Sequence, residues 1–355
     1  MRAAISVAIV AVACHGSPAV GQDQLRLPSG FRISVFAQNV DGVRYLVVSP
    51  GNVVYASRPE AGLIVRLPDD NQDGVADSVV TVARGLRGPF GIAFRGDTMY
   101  VAEETAVKRF DPGARAPVTI VRRLPSGGHV TRTVVFGPDG KMYVSVGSSC
   151  NLCDESDSMR AAVLQFNRDG SGGRVFARGL RNSVGLAFDA GTGELWATNN
   201  DRDNLGDDVP PERINIVKDG RYYGWPQCYL PGVRNPEYAA ADCSTVEPPA
   251  ITFQAHSAPL GIAFYTGTQF PRDHRGDAFV AYHGSWNRTV PTGAKVVRVR
   301  VDSGRPVGIE DFIVGWQRLD GSRWGRPVGV VTAPEGALLV SDDMGGKIWR
   351  ITYGR

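Results

Sequence analysis

The sequence predicts an all-β fold, a six-bladed propeller of four-stranded antiparallel blades in a single domain, and three observations lead there. A short apolar motif recurs six times along the 355 residues. Each copy is followed by a turn and further strand-like segments. The 43 Gly and 23 Pro supply more turn residues than a helical chain tolerates, while a 43% hydrophobic fraction is ample for a core.

The copies are Leu46-Val-Val-Ser49, Gly91-Ile-Ala-Phe94, Thr133-Val-Val-Phe136, Gly185-Leu-Ala-Phe188, Gly261-Ile-Ala-Phe264 and Gly329-Val-Val-Thr332. Second strands follow, such as Met99-Tyr-Val-Ala102, Met142-Tyr-Val-Ser145 and Leu195-Trp-Ala-Thr198. A third strand sets a polar residue inside an apolar run, as in Ile64-Val-Arg-Leu67 and Ile348-Trp-Arg-Ile351, and a fourth reads Val79 to Leu86 or Arg174 to Leu180. Repeats of about 40 to 50 residues with four strands each are propeller blades. The longer intervals before Gly261 and Gly329 leave room for insertions. Small and bulky residues alternate in Gly-Ile-Ala-Phe, as suits an innermost strand at a crowded axis. Phe31-Arg-Ile-Ser-Val-Phe-Ala37 resembles a fourth strand and is predicted to complete the last blade and close the ring, which removes free sheet edges.

Antiparallel strands send alternate connections to opposite ends, so this phase sorts the loops into two faces. First-to-second connections such as Gly137-Pro-Asp-Gly140 and Ala333-Pro-Glu-Gly336 are plain turn chemistry. The other face collects Arg44, Tyr45, Arg87, His129, Arg181, Asn182, His256, Ser257, Arg323 and Arg326 from the segments entering each first strand. It also takes Glu103, Glu104, Asn199 to Asp203, His283, Trp286, Arg288, Asp342 and Asp343 from second-to-third connections. Several arginines around one channel mouth would hold a small polyanion, because guanidinium forks match carboxylates bidentately. An imidazole such as His129 suits general-base work.

At the N-terminus, Arg2, the apolar run Ala3 to Ala13 and Ser17-Pro-Ala-Val-Gly21 resemble a secretory signal peptide, so residues 1–21 are expected to be removed and 22–355 to form the domain. Anchoring as a lipoprotein through Cys14 is the alternative. An exported, periplasmic or secreted protein with four remaining cysteines is expected to form disulfides between near neighbours, Cys150 with Cys153 and Cys228 with Cys243. No later segment has the roughly 18 to 20 apolar residues that span a bilayer. The balance of 39 Lys and Arg against 36 Asp and Glu, without a basic run, argues against a nucleic-acid partner. Asp69-Asp-Asn71-Gln-Asp73-Gly matches part of a calcium loop but has Val80 where the bidentate Glu belongs. The phase puts it on the turn face, as a structural site.

Gly128-His129 leading into Val134 to Ser145, Gly179-Leu-Arg-Asn-Ser-Val-Gly-Leu-Ala-Phe188, Glu212-Arg-Ile-Asn215 to Tyr223-Gly-Trp-Pro226, and Ala258 to Tyr265 resemble the soluble glucose/sorbosone dehydrogenase family. Its members use pyrroloquinoline quinone (PQQ), and the likeness runs from Arg26 to Arg355. The resemblance implies that His129 takes the substrate hydroxyl proton while hydride passes to the quinone. It implies that Arg181 and Asn182 contact the cofactor with Arg323 and Arg326, that Trp286 flanks it, and that either Arg288 or Lys295 fills the role of a family lysine. A calcium ion would polarise the quinone. The corresponding loop here, Asn200-Asp-Arg-Asp203, differs from the Gly-Pro of the glucose enzymes and offers Asp201, Asp203, Asp207 and Asp208 as oxygen ligands. The implied function is oxidation of a sugar or related polyol or aldehyde, with electrons handed to a separate acceptor. Two rival readings are a calcium-dependent propeller lactonase and a non-catalytic binding propeller.

Overall fold

The computed structural model describes residues 25–354. The expected signal peptide and Cys14 lie outside them. Strand β1 (Phe31–Ala37) is followed by blade 1, made of β2 (Leu46–Val48), β3 (Val54–Arg58), β4 (Leu63–Leu67) and β5 (Val80–Ala83). Blade 2 is β6 (Ile92–Arg95), β7 (Thr98–Glu103), β8 (Ala106–Phe110) and β9 (Val118–Arg122). Blade 3 is β10 (Val134–Phe136), β11 (Met142–Val146), β12 (Ala162–Phe166) and β13 (Arg174–Arg178). Blade 4 has β14 (Leu186–Phe188), β15 (Leu195–Asn199) and β16 (Glu212–Val217). A separate hairpin, β17 (Cys228–Leu230) with β18 (Val233–Arg234), comes before the blade's outer strand β19 (Ile251–Phe253). Blade 5 is β20 (Pro259–Phe264), β21 (Ala278–Tyr282), β22 (Lys295–Asp302) and β23 (Arg305–Ile313). Blade 6 is β24 (Pro327–Thr332), β25 (Leu338–Asp342) and β26 (Lys347–Tyr353).

All six sheets are four-stranded and antiparallel, and the sixth is completed by β1, which pairs with β26 from Phe31 opposite Tyr353 to Val35 opposite Trp349. The N- and C-terminal strands therefore share a blade, and the ring has no free seam. The first long interval is filled by the β17–β18 hairpin, which the Cys228–Cys243 disulfide staples with Cα atoms 5.9 Å apart. The second is filled by the long strands β22 and β23 and the loops around them.

The apolar core lies between blades, where buried residues of neighbouring sheets meet. Trp349 and Ile351 of blade 6 share a cluster with Phe279, Val296 and Phe312 of blade 5. At the axis, polar stitching replaces apolar packing. Ser341 accepts the Gly329 N–H and donates to the Arg44 carbonyl of the next blade, at 2.7 and 2.5 Å. Thr198 does the same for Gly185 and Leu260, both at 2.8 Å. A Cβ on Gly329 would stand 2.5 Å from the Arg44 carbonyl oxygen, which is why a glycine opens these inner strands.

The faces separate as the strand phase predicts. A turn-face cavity of about 540 Å³ is lined by Asn52, Asp69, Gln72, Pro334 and Glu335, all from first-to-second or third-to-fourth connections. Here Asp69 accepts the Asp73 and Gly74 N–H groups at 3.1 and 3.0 Å, and Asn71 binds Asp73 at 3.0 Å, so the acidic loop is folded on its own hydrogen bonds.

Candidate active site

His129 sits on the segment entering β10, and two glycines make its seat. A Cβ on Gly128 would meet the Ser148 carbonyl at 2.5 Å, so only glycine lets this segment lie against Ser148. A Cβ on Gly147 would meet the His129 Cβ at 2.5 Å and Asn182 Oδ1 at 2.9 Å. His129 and Asn182 are therefore neighbours across a gap that a side chain would fill. Ser148 ties blades 3 and 4 together: it accepts the His129 N–H at 3.0 Å and donates its own N–H to the Arg181 carbonyl at 2.8 Å. His129 and Arg181 thus belong to one end of the channel.

The imidazole is held in a defined tautomer. Nδ1 lies 3.0 Å from the Ser148 carbonyl, which can only accept, and 3.0 Å from Ser148 Oγ, whose hydrogen is given to the Cys150 carbonyl at 2.7 Å. Nδ1 therefore carries the hydrogen, and the Nε2 lone pair has no partner among the described residues. Burial, followed by the charges of Arg181, Arg132 and Arg160, pushes the His129 pKa down to about 4. The ring is neutral at pH 7, as a base must be before it accepts a proton. The segment carrying it is braced by Arg132, which is fully buried and donates to the carbonyls of Pro125, His129 and Thr131, and by Glu104, which accepts the Gly127 N–H at 2.8 Å.

Arg181 is 4% exposed and engaged on every side. It donates to the Asn151 carbonyl and amide oxygen (3.0 and 2.9 Å), to the Asn200 and Asp201 carbonyls (3.3 and 2.7 Å) and to Asp203 (3.1 Å). It frames the site and lends it positive charge, whereas the Asn182 side chain beside it makes no hydrogen bond among the described residues.

The carboxylates named as calcium ligands are each taken. Asp201 pairs with buried Arg213 at 2.7 Å, and Asp203 is held by Arg181 and by Asn287 at 2.9 Å. Asp207 accepts the Thr289 N–H at 3.1 Å, and Asp208, 86% exposed, pairs with Arg288 at 3.0 Å. Among the described residues, the one set of three metal-ligand atoms within 4.8 Å of one another is Cys150, Cys153 and Glu155, and its sulfurs are disulfide-bonded. The expected four-aspartate set is therefore not assembled. Three of them, Asp203, Asp207 and Asp208, instead lace the 200–208 loop to the 286–290 loop, together with His256, whose Nε2 lies 2.8 Å from the Gly206 carbonyl.

Arg288 serves that brace, donating to the Asp207 and Val290 carbonyls. Lys295, its alternative for the lysine role, points away from the mouth: it pairs with Asp311 on β23 at 2.5 Å and lies over the Tyr282 ring. Trp286 is 73% exposed on the same loop as Arg288.

Across the mouth, Arg326 donates to the His283 and Gly284 carbonyls at 2.9 and 3.2 Å, and Arg323 donates to Gln317 and to the Thr292 carbonyl at 3.1 and 3.3 Å. Among the described residues neither forms a salt bridge, and each keeps one Nη without a partner. Of the two neighbouring carboxylates, Asp342 accepts the Arg326 backbone N–H at 2.8 Å, and Asp343 is shared by Arg44 at 2.5 Å and His283 at 3.0 Å. Burial would raise the Asp343 carboxyl, but His283, Arg44 and Arg326 hold it below its ordinary value. His283 itself is pushed down to about 4, first by burial. This quarter of the mouth carries a surplus of positive charge.

Strand phase alone could have found one further group. The β11–β12 connection, Gly147 to Ala161, emerges on the same face, and it supplies Ser148, Asn151, Glu155 and Arg160. Arg132, three residues beyond His129, gave no signal apart from that spacing.

A family model described as Glucose / Sorbosone dehydrogenase matches residues 114–350, more than half of the chain. The chain belongs to that family. A 29% identical relative, an uncharacterized protein of Borreliella burgdorferi, aligns over 93% of this chain and 91% of its own length. The pyrroloquinoline quinone-dependent pyranose dehydrogenase of Coprinopsis cinerea is 25% identical over 96% of this chain, which spans 56% of that relative. Among solved structures, the holo form of the Coprinopsis cinerea pyranose dehydrogenase PQQ domain has a TM-score of 0.81 at 22% identity, covering 96% of this chain and 99% of its own. The apo soluble aldose sugar dehydrogenase of Escherichia coli has a TM-score of 0.68 at 18% identity, covering 91% and 99%. These structures share the six-bladed fold. Membership in the glucose/sorbosone dehydrogenase family makes this chain an oxidoreductase of the sugar dehydrogenase type.

Proposed function

We propose that this protein oxidises a sugar, or a related polyol or aldehyde, with PQQ as cofactor, and passes the electrons to a separate acceptor. One observation carries the reading: a neutral imidazole with its Nδ1 hydrogen committed and its Nε2 free stands beside an unpartnered amide, opposite two arginines that lack carboxylates. The donor set fits a quinone bearing several carboxylates. The free Nη groups of Arg323 and Arg326 and the Asn182 amide would hold it, and the exposed Trp286 indole offers a flat face to a planar ring. When bound, PQQ supplies the two-electron acceptor that no side chain provides.

The chain's own work is proton handling and placement. His129 Nε2 accepts the substrate hydroxyl proton, Ser148 keeps the ring in the tautomer that makes this possible, and Arg132 and Glu104 hold the segment still. A pKa of about 4 makes the free imidazole a weak base. Negative charge at the mouth would offset Arg181 and raise its basicity. Calcium receives no step, because the aspartates offered for it are paired with arginines or backbone donors.

The disulfides Cys150–Cys153 and Cys228–Cys243 support a mature domain that acts in an oxidising, periplasmic or extracellular compartment. Among the described residues no helix is long and apolar enough to cross a membrane. The test is reconstitution: purified residues 22–355 with PQQ should reduce an artificial dye when given aldoses or polyols. Absence of both quinone binding and quinone-dependent activity across a broad sugar panel would overturn the proposal.

A further inference from the structure

The Cys150–Cys153 disulfide lies between the two halves of the site, in a segment with no strand pairing of its own. Its Cα atoms are 6.2 Å apart, and all four residues from Cys150 to Cys153 are half-buried. By contrast, Cys228 and Cys243 are 0% and 3% exposed. An incoming thiol can reach the first disulfide and is shielded from the second.

Enclosed in the first disulfide is Asn151, which joins three elements. Its carbonyl accepts from Arg181 Nε at 3.0 Å and from the Trp225 indole at 3.2 Å, and its amide oxygen accepts from Arg181 Nη2 at 2.9 Å and the Asp203 N–H at 2.7 Å. Its amide nitrogen donates to the Asp203 carbonyl at 3.0 Å. Both ends of the turn also reach the His129 segment. The Cys150 carbonyl orients Ser148 Oγ against His129 Nδ1, and Glu155 accepts from the Ser149 N–H and hydroxyl while lying 3.9 Å from Arg160. Arg160 in turn donates to the Ser126 and Gly127 carbonyls. Among the described residues, backbone–backbone hydrogen bonds do not hold this turn, so the covalent bridge acts with these side-chain contacts to keep Asn151 and the Cys150 carbonyl in place together.

We propose that the disulfide-closed turn Cys150–Cys153 is a redox-sensitive clamp, in which Asn151 is a positioning residue for Arg181 and Cys150 one for the Ser148–His129 pair. Opening the bridge loosens the site without unfolding the propeller. A dithiol reductant performs the step. One of its thiolates attacks a bridge sulfur and forms a mixed disulfide, and its second thiol resolves this. The reductant leaves as a disulfide, and Cys150 and Cys153 each gain one electron and one proton. Because the clamp fixes Arg181 near enough for its charge to act on His129, its release has a signature apart from activity. The cations facing the imidazole are Arg181, Arg132 and Arg160, and burial opposes its protonation most. Letting Arg181 withdraw and water enter weakens both effects, so His129 titrates at higher pH.

The proposal rests on the sugar dehydrogenase reading only for its kinetic arm. The experiment compares wild type, Cys150→Ser/Cys153→Ser, Asn151→Ala and the control Cys228→Ser/Cys243→Ser by histidine NMR titration, with His129→Gln assigning the resonance, and by quinone-dependent turnover. The bridge variant and Asn151→Ala should raise the His129 titration by roughly one pH unit and lower kcat about tenfold, as expected of a small misplacement. The control should leave the His129 titration unmoved. If a variant fails to fold, graded dithiothreitol on wild type gives the same readout, with alkylation reporting which bridge has opened. A His129 titration unchanged after the Cys150–Cys153 bridge is opened overturns the clamp, whether or not the protein oxidises sugars. An unchanged titration in Asn151→Ala overturns the role of Asn151.

Discussion

On the two sides of the channel mouth, arginines do opposite work. On the blade 3 and 4 side, Arg132, Arg160 and Arg181 spend their N–H groups on backbone carbonyls and on Asn151 and Asp203, and the result is a stiff frame around one imidazole. On the blade 5 and 6 side, Arg326 is steadied by two carbonyls and Arg323 by one carbonyl and an amide; among the described residues neither forms a salt bridge, and each keeps a donor free. The same residue type thus fixes geometry where most of its donors are spent on the protein and leaves donors open to an anion where they are not. In the proposed function, catalytic precision would belong to the first side and cofactor affinity to the second.

That division can be broken by substitution. The largest effect is expected for His129→Gln, which keeps a polar side chain but removes the base: kcat should fall by about 10²- to 10⁴-fold while PQQ affinity, measured by calorimetry, changes little. Arg181→Ala should act on the frame, costing about 3 kcal/mol in urea unfolding because it strands buried acceptors and one partner of an ion pair. Arg326→Ala should do the reverse, leaving stability nearly intact and weakening quinone binding about tenfold or more through the loss of a charge-assisted contact.

The effect that is sharpest in its pH dependence concerns Glu212 beneath the frame. Burial first, then Asp201 and Asp203, push its carboxyl up to about 8, and it accepts the Asp201 N–H at 2.7 Å. The folded chain keeps a proton that the unfolded chain releases at about 4.5. The stability that this group contributes is complete below that pH and is lost as pH rises toward and through about 8. Glu212→Gln keeps the acceptor and cannot ionise, so its unfolding free energy should be flatter than wild type across that window.

Much of the fold could be read before any coordinates. Glycine or another small residue at the start of five of the six inner strands marks where neighbouring blades touch, and Gly329 against the Arg44 carbonyl is the physical reason. That mark sets the strand phase, and the phase assigns His129, Asn182, Arg323 and Arg326 to one face. What sequence could not give is which charges are spent. Asp201, Asp203, Asp207 and Asp208 look like hard ligands in one dimension, but Arg213, Arg181, Thr289 and Arg288 reach them from elsewhere in the chain. Lys295 begins a strand whose pairing with β23 turns it to Asp311, a register that bulges make hard to count.

The most direct test of the account follows the His129 ring by NMR while PQQ is added to the mature protein across a pH series. The account predicts a free-protein pKa near 4 that moves upward as the anionic quinone settles against Arg323 and Arg326 and offsets the positive charge of the mouth. A quinone that binds without disturbing the His129 titration, or a free imidazole that already titrates at the ordinary value of about 6.5, would contradict it.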